Sequence, residues 1–374
     1  MFPLQSADPA SLGFDASRLD LLCATIEKHI ARGDHPGAQV AVARHGKLAL
    51  FRSFGQARLA PPLAAHERTL FLLYSNTKVI TACAIWILVE DGLLRYGDRI
   101  ADHVPGFEKN RKGDITVHEL LTHQAGFPSQ LIPPAAWTDH ALLRELVCDF
   151  PLEWAPGTRV QYHPSAAHWT AAVLIEAITG QDYRAYIRDR IIAPLGLAEE
   201  LFVGVPETEQ LRCADMHERD AEGKMVPRAL ECGAAHRAAG IPGGGGYATA
   251  RAMAAFYQML AQGGRLGATR IVSPRTIAHV TRNFTGERID LHNDRPAHRG
   301  LGPHIRGETD VARSIGTLAH PSTFGHGGAG SSYCWADPAS GVSFAFLSNT
   351  RYPEELHEAR MDILCNIAHA AIDA

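Results

Sequence analysis

The sequence is poor in lysine. Only Lys28, Lys47, Lys78, Lys109, Lys112 and Lys224 contribute to its 36 lysine and arginine residues, so a lysine in an apolar setting stands out. Paired cysteines are also missing. Cys23, Cys83, Cys148, Cys213, Cys232, Cys334 and Cys365 are odd in number and never occur as Cys-x-x-Cys. That pattern argues against a disulfide framework and for reduced thiols, so a soluble cytoplasmic protein is expected. No apolar run approaches about eighteen uncharged residues, and residues 1–8 carry no basic stretch ahead of such a run. Neither a membrane span nor a secretory leader is therefore expected. Acidic residues number 40 and the net charge is −4, which leaves no basic footprint for nucleic acid. Twenty histidines invite a metal, yet His-Glu-x-x-His and zinc-type spacings are absent, so no metal is expected.

What is present suits an ordinary core. The chain has 374 residues, 46% of them hydrophobic, enough for one large domain or two closely packed ones. Leu19, Leu22, Cys23, Ile26 and Ile30 form one helical stripe. Gln39–Arg44 and Leu48–Arg52 flank His45-Gly46 as a β-hairpin. Val79–Glu90 is apolar almost all round, which marks a buried helix ended by Gly92. Further helical patterns lie at Val117–Leu121, Ala141–Val147, Ala166–Ile178, Tyr183–Ile192 and Ala250–Gln262. The run Gly243–Gly246 reads as the most flexible stretch. Ser332–Ala336 and Val342–Leu347 read as two strands, and Glu354–Ile372 as a last helix. Strands at both ends and helices between predict an α+β fold. The two hairpins share one antiparallel sheet, a mostly helical lobe is inserted, and the active site lies in the cleft between them.

Ser75 opens the buried helix and Lys78 follows three residues later, on the same face. A helix N-terminus stabilises negative charge, and desolvation favours neutral lysine, which is a base. Ser-x-x-Lys occurs once here and is a workable nucleophile–base pair. The plainer alternative makes Ser75 an N-cap and Lys78 an ordinary first-turn residue.

An ordered series of motifs extends this. Pro36-Gly37-Ala38, Ser75–Lys78, Leu120–Gly126, Pro156-Gly157 before Tyr162, Pro242–Thr249, Phe324–Gly330, and Asp337-Pro338 with Leu347-Ser348-Asn349 together resemble the serine β-lactamase and penicillin-binding-protein superfamily. The likeness spans nearly the whole chain. It is nearer to the class C-like branch, with its family VIII-type carboxylesterases, D-aminopeptidases and acyltransferases. The resemblance implies a single β-lactamase/transpeptidase-like domain over residues 1–374, with a sheet lobe at about 1–74 and 240–374 and a helical lobe at about 75–239.

The resemblance also implies roles. Tyr162 acts with Lys78 as general base and returns a proton to the leaving group. The amides of Ser75 and Ala329 form an oxyanion hole. His326, Gly327 and Gly328 border the substrate along a strand edge. His163 and Pro164 follow the tyrosine, where the family often carries an Asn, so the wall beside it is altered. Trp137 and Pro128–Pro134 follow a turn that borders the cleft and are candidates to shape the acyl or alcohol pocket. His326 replaces the lysine of the family's Lys-Thr-Gly motif. It either positions the acyl group or bonds to the sheet edge, and the change argues against a dedicated penicillin-destroying enzyme. The implied function is a cofactor-free serine hydrolase of small-molecule carboxylic esters, with small hydrophobic or aryl esters as assay substrates. Alternatives are an amidase, D-aminopeptidase or weak β-lactamase, an acyltransferase, and a non-catalytic binding homologue.

Overall fold

Helix α1 (Ala16–Ala31) starts where the Asp15 carboxylate accepts the Ser17 N–H at 2.8 Å and buries Leu19, Leu22 and Ile26. The computed structural model describes residues 2–309 and 314–373. Strand β1 (Gln5–Ser6) precedes this helix, and β2 (Gly37–Arg44) and β3 (Lys47–Leu59) follow it as the expected hairpin. Its two-residue turn works because His45 and Gly46 both take left-handed φ, 50° and 77°. After β4 (Phe71–Leu72) comes α2 (Thr77–Glu90), in which every residue from Thr77 to Leu88 is buried. The helices α3 (Val117–Leu121), α4 (His140–Asp149) and α5 (Ala166–Thr179) build the region packed around α2. The short strands β5 (Leu201–Val203) and β6 (Gly246–Ala248) pair with β4, and α6 (Ala250–Ala261) follows at once. Strands β7 (His304–Ile305), β8 (Phe324–Gly328), β9 (Ser332–Asp337) and β10 (Val342–Ser348) precede α7 (Glu354–Ala370).

The main sheet runs β1-β3-β2-β10-β9-β8-β7, and Pro62–Ala64 adds an eighth strand against β3. The two terminal hairpins therefore share one sheet through β2 and β10, as expected. Its pairing is antiparallel except at the edge, where β1 runs parallel to β3. The period of two sorts side chains to the faces. Val40, Val42, Tyr333, Trp335, Phe344 and Phe346 pack towards α1 and α7. Ala41, Ala43, Cys334, Ala336 and Ala345 face the other way, into the core that holds α2 and α6. Small side chains let α6 come close enough for Ser343 Oγ to donate to Ala254 O at 2.8 Å.

The glycine run is not loose. Gly244 and Gly245 N–H both donate to Ile241 O, and Gly246 N–H donates to Thr77 Oγ1 at 2.9 Å. A Cβ at Gly246 would sit 2.8 Å from Thr77 Oγ1, so glycine serves close approach to α2 here rather than flexibility. The seven cysteines are free thiols, and no helix is long and apolar enough to cross a membrane among the described residues.

Candidate active site

The chain leaves β4 through Tyr74 at φ 43°, a conformation that costs a non-glycine residue about 1–3 kcal/mol. It is held there at two points: Tyr74 Oη donates to Glu231 at 3.0 Å and Tyr74 O accepts from Thr77 Oγ1 at 2.7 Å. Ser75 follows on a single 3-10 turn that runs into α2. Asn76 ties this turn to the sheet by donating to Ser332 Oγ at 2.8 Å. Gly328 on β8 lies so near the same turn that a Cβ would meet Leu73 O at 2.2 Å. The nucleophile candidate is thus wedged between helix start and strand edge.

Lys78 Nζ is fully buried, 3.2 Å from Ser75 Oγ, 2.7 Å from Pro164 O and 2.6 Å from Gly243 O. No carboxylate pairs with it among the described residues. Burial, and then the Arg299 cation, hold its pKa well below the ordinary lysine value. A neutral amine has two N–H bonds and one lone pair. Two carbonyls take the N–H groups and leave the lone pair for the Ser75 hydroxyl proton.

Tyr162 Oη donates to Ser75 Oγ at 2.7 Å. Its backbone N–H donates to Asp290 Oδ1 at 2.9 Å, and the Arg299 guanidinium lies 4.9 Å from its ring centre. Burial pushes its phenol up to about 12, so it holds its proton at neutral pH. Beneath it, the His123 ring tilts at 4.8 Å between centres and accepts the His163 N–H at 3.0 Å, a structural role.

Ser75 and Tyr162 open into a cleft of about 440 Å³ that is also lined by His326, Gly327, Gly328 and Ala329. Its remaining wall includes His292, Asn293, Arg299, His304 and Glu354. Asp290, Arg299 and His304 escaped the sequence reading because they carry no local pattern. Asp290 Oδ2 accepts from Arg299 at 2.7 Å, and Arg299 in turn donates to His304 Nε2. The joined pair was unreadable because neither residue belongs to a motif.

Two expected substrate contacts fail. His163 does not line this cleft: it is buried, with Nε2 accepting from Phe127 N–H at 3.2 Å and Nδ1 on Gln161 O at 2.7 Å. Tyr162 turns its ring to the cleft, while His163 is held inward by Phe127 and Gln161. Trp137 does not line it either. It packs edge-on against His236 with 5.8 Å between ring centres, because the turn at Pro134–Ala136 folds it into the interior. The altered Pro164 finds a use through its carbonyl on Lys78, which needs no side chain.

Residues 22–365 match the family described as Beta-lactamase. A penicillin-binding-protein homologue from Caulobacter crescentus is 29% identical, with a TM-score of 0.82 over 95% of this chain and 97% of that one. A family VIII carboxylesterase structure is 26% identical, with a TM-score of 0.78 over 94% and 99%. A Salmonella enteritidis relative that carries a provisional D-alanyl-D-alanine carboxypeptidase name is 26% identical, over 92% of this chain and 86% of its own length.

Proposed function

The chain belongs to the Beta-lactamase family of serine hydrolases, and on that footing we propose that it cleaves carboxylic esters through a covalent acyl-enzyme on Ser75. The observation that carries this reading is the geometry around one oxygen. Ser75 Oγ has a proton-holding phenol at 2.7 Å and a desolvated amine at 3.2 Å. Lys78 takes the hydroxyl proton as Oγ bonds to the ester carbonyl carbon. The amides of Ser75 and Ala329 receive the oxyanion, the largest single term in many acyl transfers. The carbon–oxygen bond to the alcohol breaks, Tyr162 gives that alcohol its proton, and Lys78 reprotonates Tyr162. Water then releases the acid by the same route.

Ester rather than β-lactam specificity is supported by His326 in place of a permanent cation and by the likeness to a family VIII carboxylesterase. The Salmonella relative's name supports an amide substrate instead, so matched amides belong in the same assay. Covalent labelling by a fluorophosphonate tests the core of the reading. Wild type is expected to take the label and Ser75→Ala to lose it; an unlabelled wild type, or a labelled Ser75→Ala, overturns it.

A further inference from the structure

Asp290 is sealed from solvent, and its two oxygens hold different things. Oδ1 accepts the main-chain N–H of Tyr162 at 2.9 Å and that of His292 at 3.0 Å, while Oδ2 accepts from Arg299 Nη2 at 2.7 Å. Leu291 N–H donates to Val160 O at 3.0 Å, which ties this loop to the segment that carries Tyr162. Arg299 is 2% exposed; its own N–H donates to Thr285 Oγ1 at 2.9 Å, and a second guanidinium nitrogen donates to His304 Nε2. One carboxylate thus fixes a backbone and a cation together, and the guanidinium carbon stands over the Tyr162 ring, 4.9 Å from its centre. A buried ion pair gains little net stability over an apolar pair, so stability alone does not account for one beside this phenol.

The other neighbours of the phenol lack a constant positive charge. Lys78 Nζ lies 5.1 Å from the same ring centre, but its proton comes and goes during the reaction. His123 and His326, at 4.8 and 6.2 Å between ring centres, are kept neutral by burial first and by nearby cations second. His292, at 5.5 Å, is exposed to solvent, and the Glu354 carboxylate opposes the effect of Arg299. Among the described residues, Arg299 is the cation against this ring whose charge persists throughout. That charge matters at one moment. As the carbon–oxygen bond breaks, Tyr162 Oη gives its proton to the alcohol oxygen, and the phenolate charge spreads into the ring beside the guanidinium. Until the Lys78 ammonium returns a proton, Arg299 attracts that charge with little water to screen it.

Resting on the serine-hydrolase reading, we propose that Asp290 and Arg299 are positioning residues for the acid step: Asp290 holds the Arg299 cation against the Tyr162 ring, where it favours transfer of the phenol proton to the leaving alcohol. The consequence is selective. A leaving group that departs as a stable anion needs no proton and gains little from Arg299. An alkoxide needs one, and its departure depends on the pair.

The test compares 4-nitrophenyl butanoate with ethyl butanoate, which share an acyl group and differ in whether the leaving oxygen needs a proton. The quantity read is the ratio of their kcat/KM values, nitrophenyl over ethyl. Arg299→Gln is expected to raise that ratio about tenfold over wild type, the size for a partial charge forming about 5 Å from a cation at an effective dielectric constant of about 20. Arg299→Lys keeps the charge and is expected to restore most of the wild-type ratio. Asp290→Asn is expected to raise the ratio as well, although loss of its charge by itself would favour the phenolate, so this variant separates holding from direct charge. Fluorophosphonate labelling of Ser75 reports an intact nucleophile in each variant, because fluoride leaves without a proton. Should Arg299→Gln fail to fold, the double variant Asp290→Asn, Arg299→Gln leaves no unpaired charge and is expected to show the same rise. Two esters falling by one factor in Arg299→Gln, or in the double variant, overturn the proposal and mark a purely structural pair. An unchanged or lower ratio in Asp290→Asn overturns the holding role. A wild type that labels at Ser75 but does not cleave ethyl butanoate overturns the proposal too, since no alkoxide is then protonated. A wild type that takes no label would instead strike the hydrolase reading itself.

Discussion

Two lysines of this chain are completely buried, Lys78 and Lys112, and they differ in one hydrogen-bonding partner and in their charged neighbours. Lys112 Nζ donates to three main-chain carbonyls, Lys109 O at 2.9 Å, Cys148 O at 2.7 Å and Phe150 O at 2.8 Å. Three acceptors match the three donors of an ammonium. Burial lowers its pKa only to about 8, so it keeps its proton at neutral pH and braces the loop around residue 110 to α4. Lys78 has two carbonyls and a hydroxyl. The third position is held by a group that can give a proton as well as accept one, and the buried Arg299 repels a charge there, whereas at Lys112 the repulsion from Lys109 is opposed by Asp149 and Glu108. Burial makes a lysine unusual; the count and kind of its partners decide whether it is suited to brace a loop or to accept a proton.

Substitution separates the two most sharply. Lys78→Met is expected to lower kcat/KM about 10³-fold with the fold intact, as loss of a general base does. Lys112→Met is expected to leave the rate per folded molecule near wild type and to cost about 3 kcal/mol of stability, since three buried carbonyls lose their donor. Denaturant melts beside kinetics read both; equal rate losses in the two variants would erase the contrast. A pH series sharpens it. The acid limb of wild-type kcat/KM reports the Lys78–Tyr162 pair and is expected well below the free-lysine value of about 10.4, so a rate still climbing through pH 10 counts against a neutral Lys78.

For Lys112 the sign runs through stability. Its folded pKa, about 8, lies below the unfolded value, so between the two the unfolded chain binds more protons. The stability difference between wild type and Lys112→Met is expected to grow as pH rises from about 8 towards 10, and a flat difference would place the lysine in solvent. The smallest effect is at Pro164. Its carbonyl, not its ring, contacts Lys78, so Pro164→Ala is expected to change kcat/KM by about threefold or less.

The same reasoning separates what was legible from what was not. The hairpin around His45-Gly46, the helix from Thr77 and the pairing of β9 with β10 each follow from a local period or turn residue; the helix and the β9–β10 pair formed within two residues of their expected bounds, whereas β3 runs on to Leu59, well past the expected Arg52. Ser75 and Lys78 were legible for the same reason, because three residues on a helix fix a side-chain pair. Tyr162 became a candidate only through resemblance to a family, since nothing in its neighbours announces it. His163 and Trp137 were misjudged because proximity in sequence was read as proximity to the cleft. The Gly243–Gly246 run was misjudged because glycine was read as freedom when it provides room for a helix.

The sequence by itself determined the candidate nucleophile and the amine beside it, one helical turn apart at the head of an apolar helix. Only the tertiary structure decided what that amine is. Pro164 O and Gly243 O, 86 and 165 residues further along the chain, take two of its protons, and Arg299 from a distant loop disfavours a third. Protonation depends on desolvation and on the partners within hydrogen-bond reach, and those are set by long-range packing rather than by the spacing of residues along the chain.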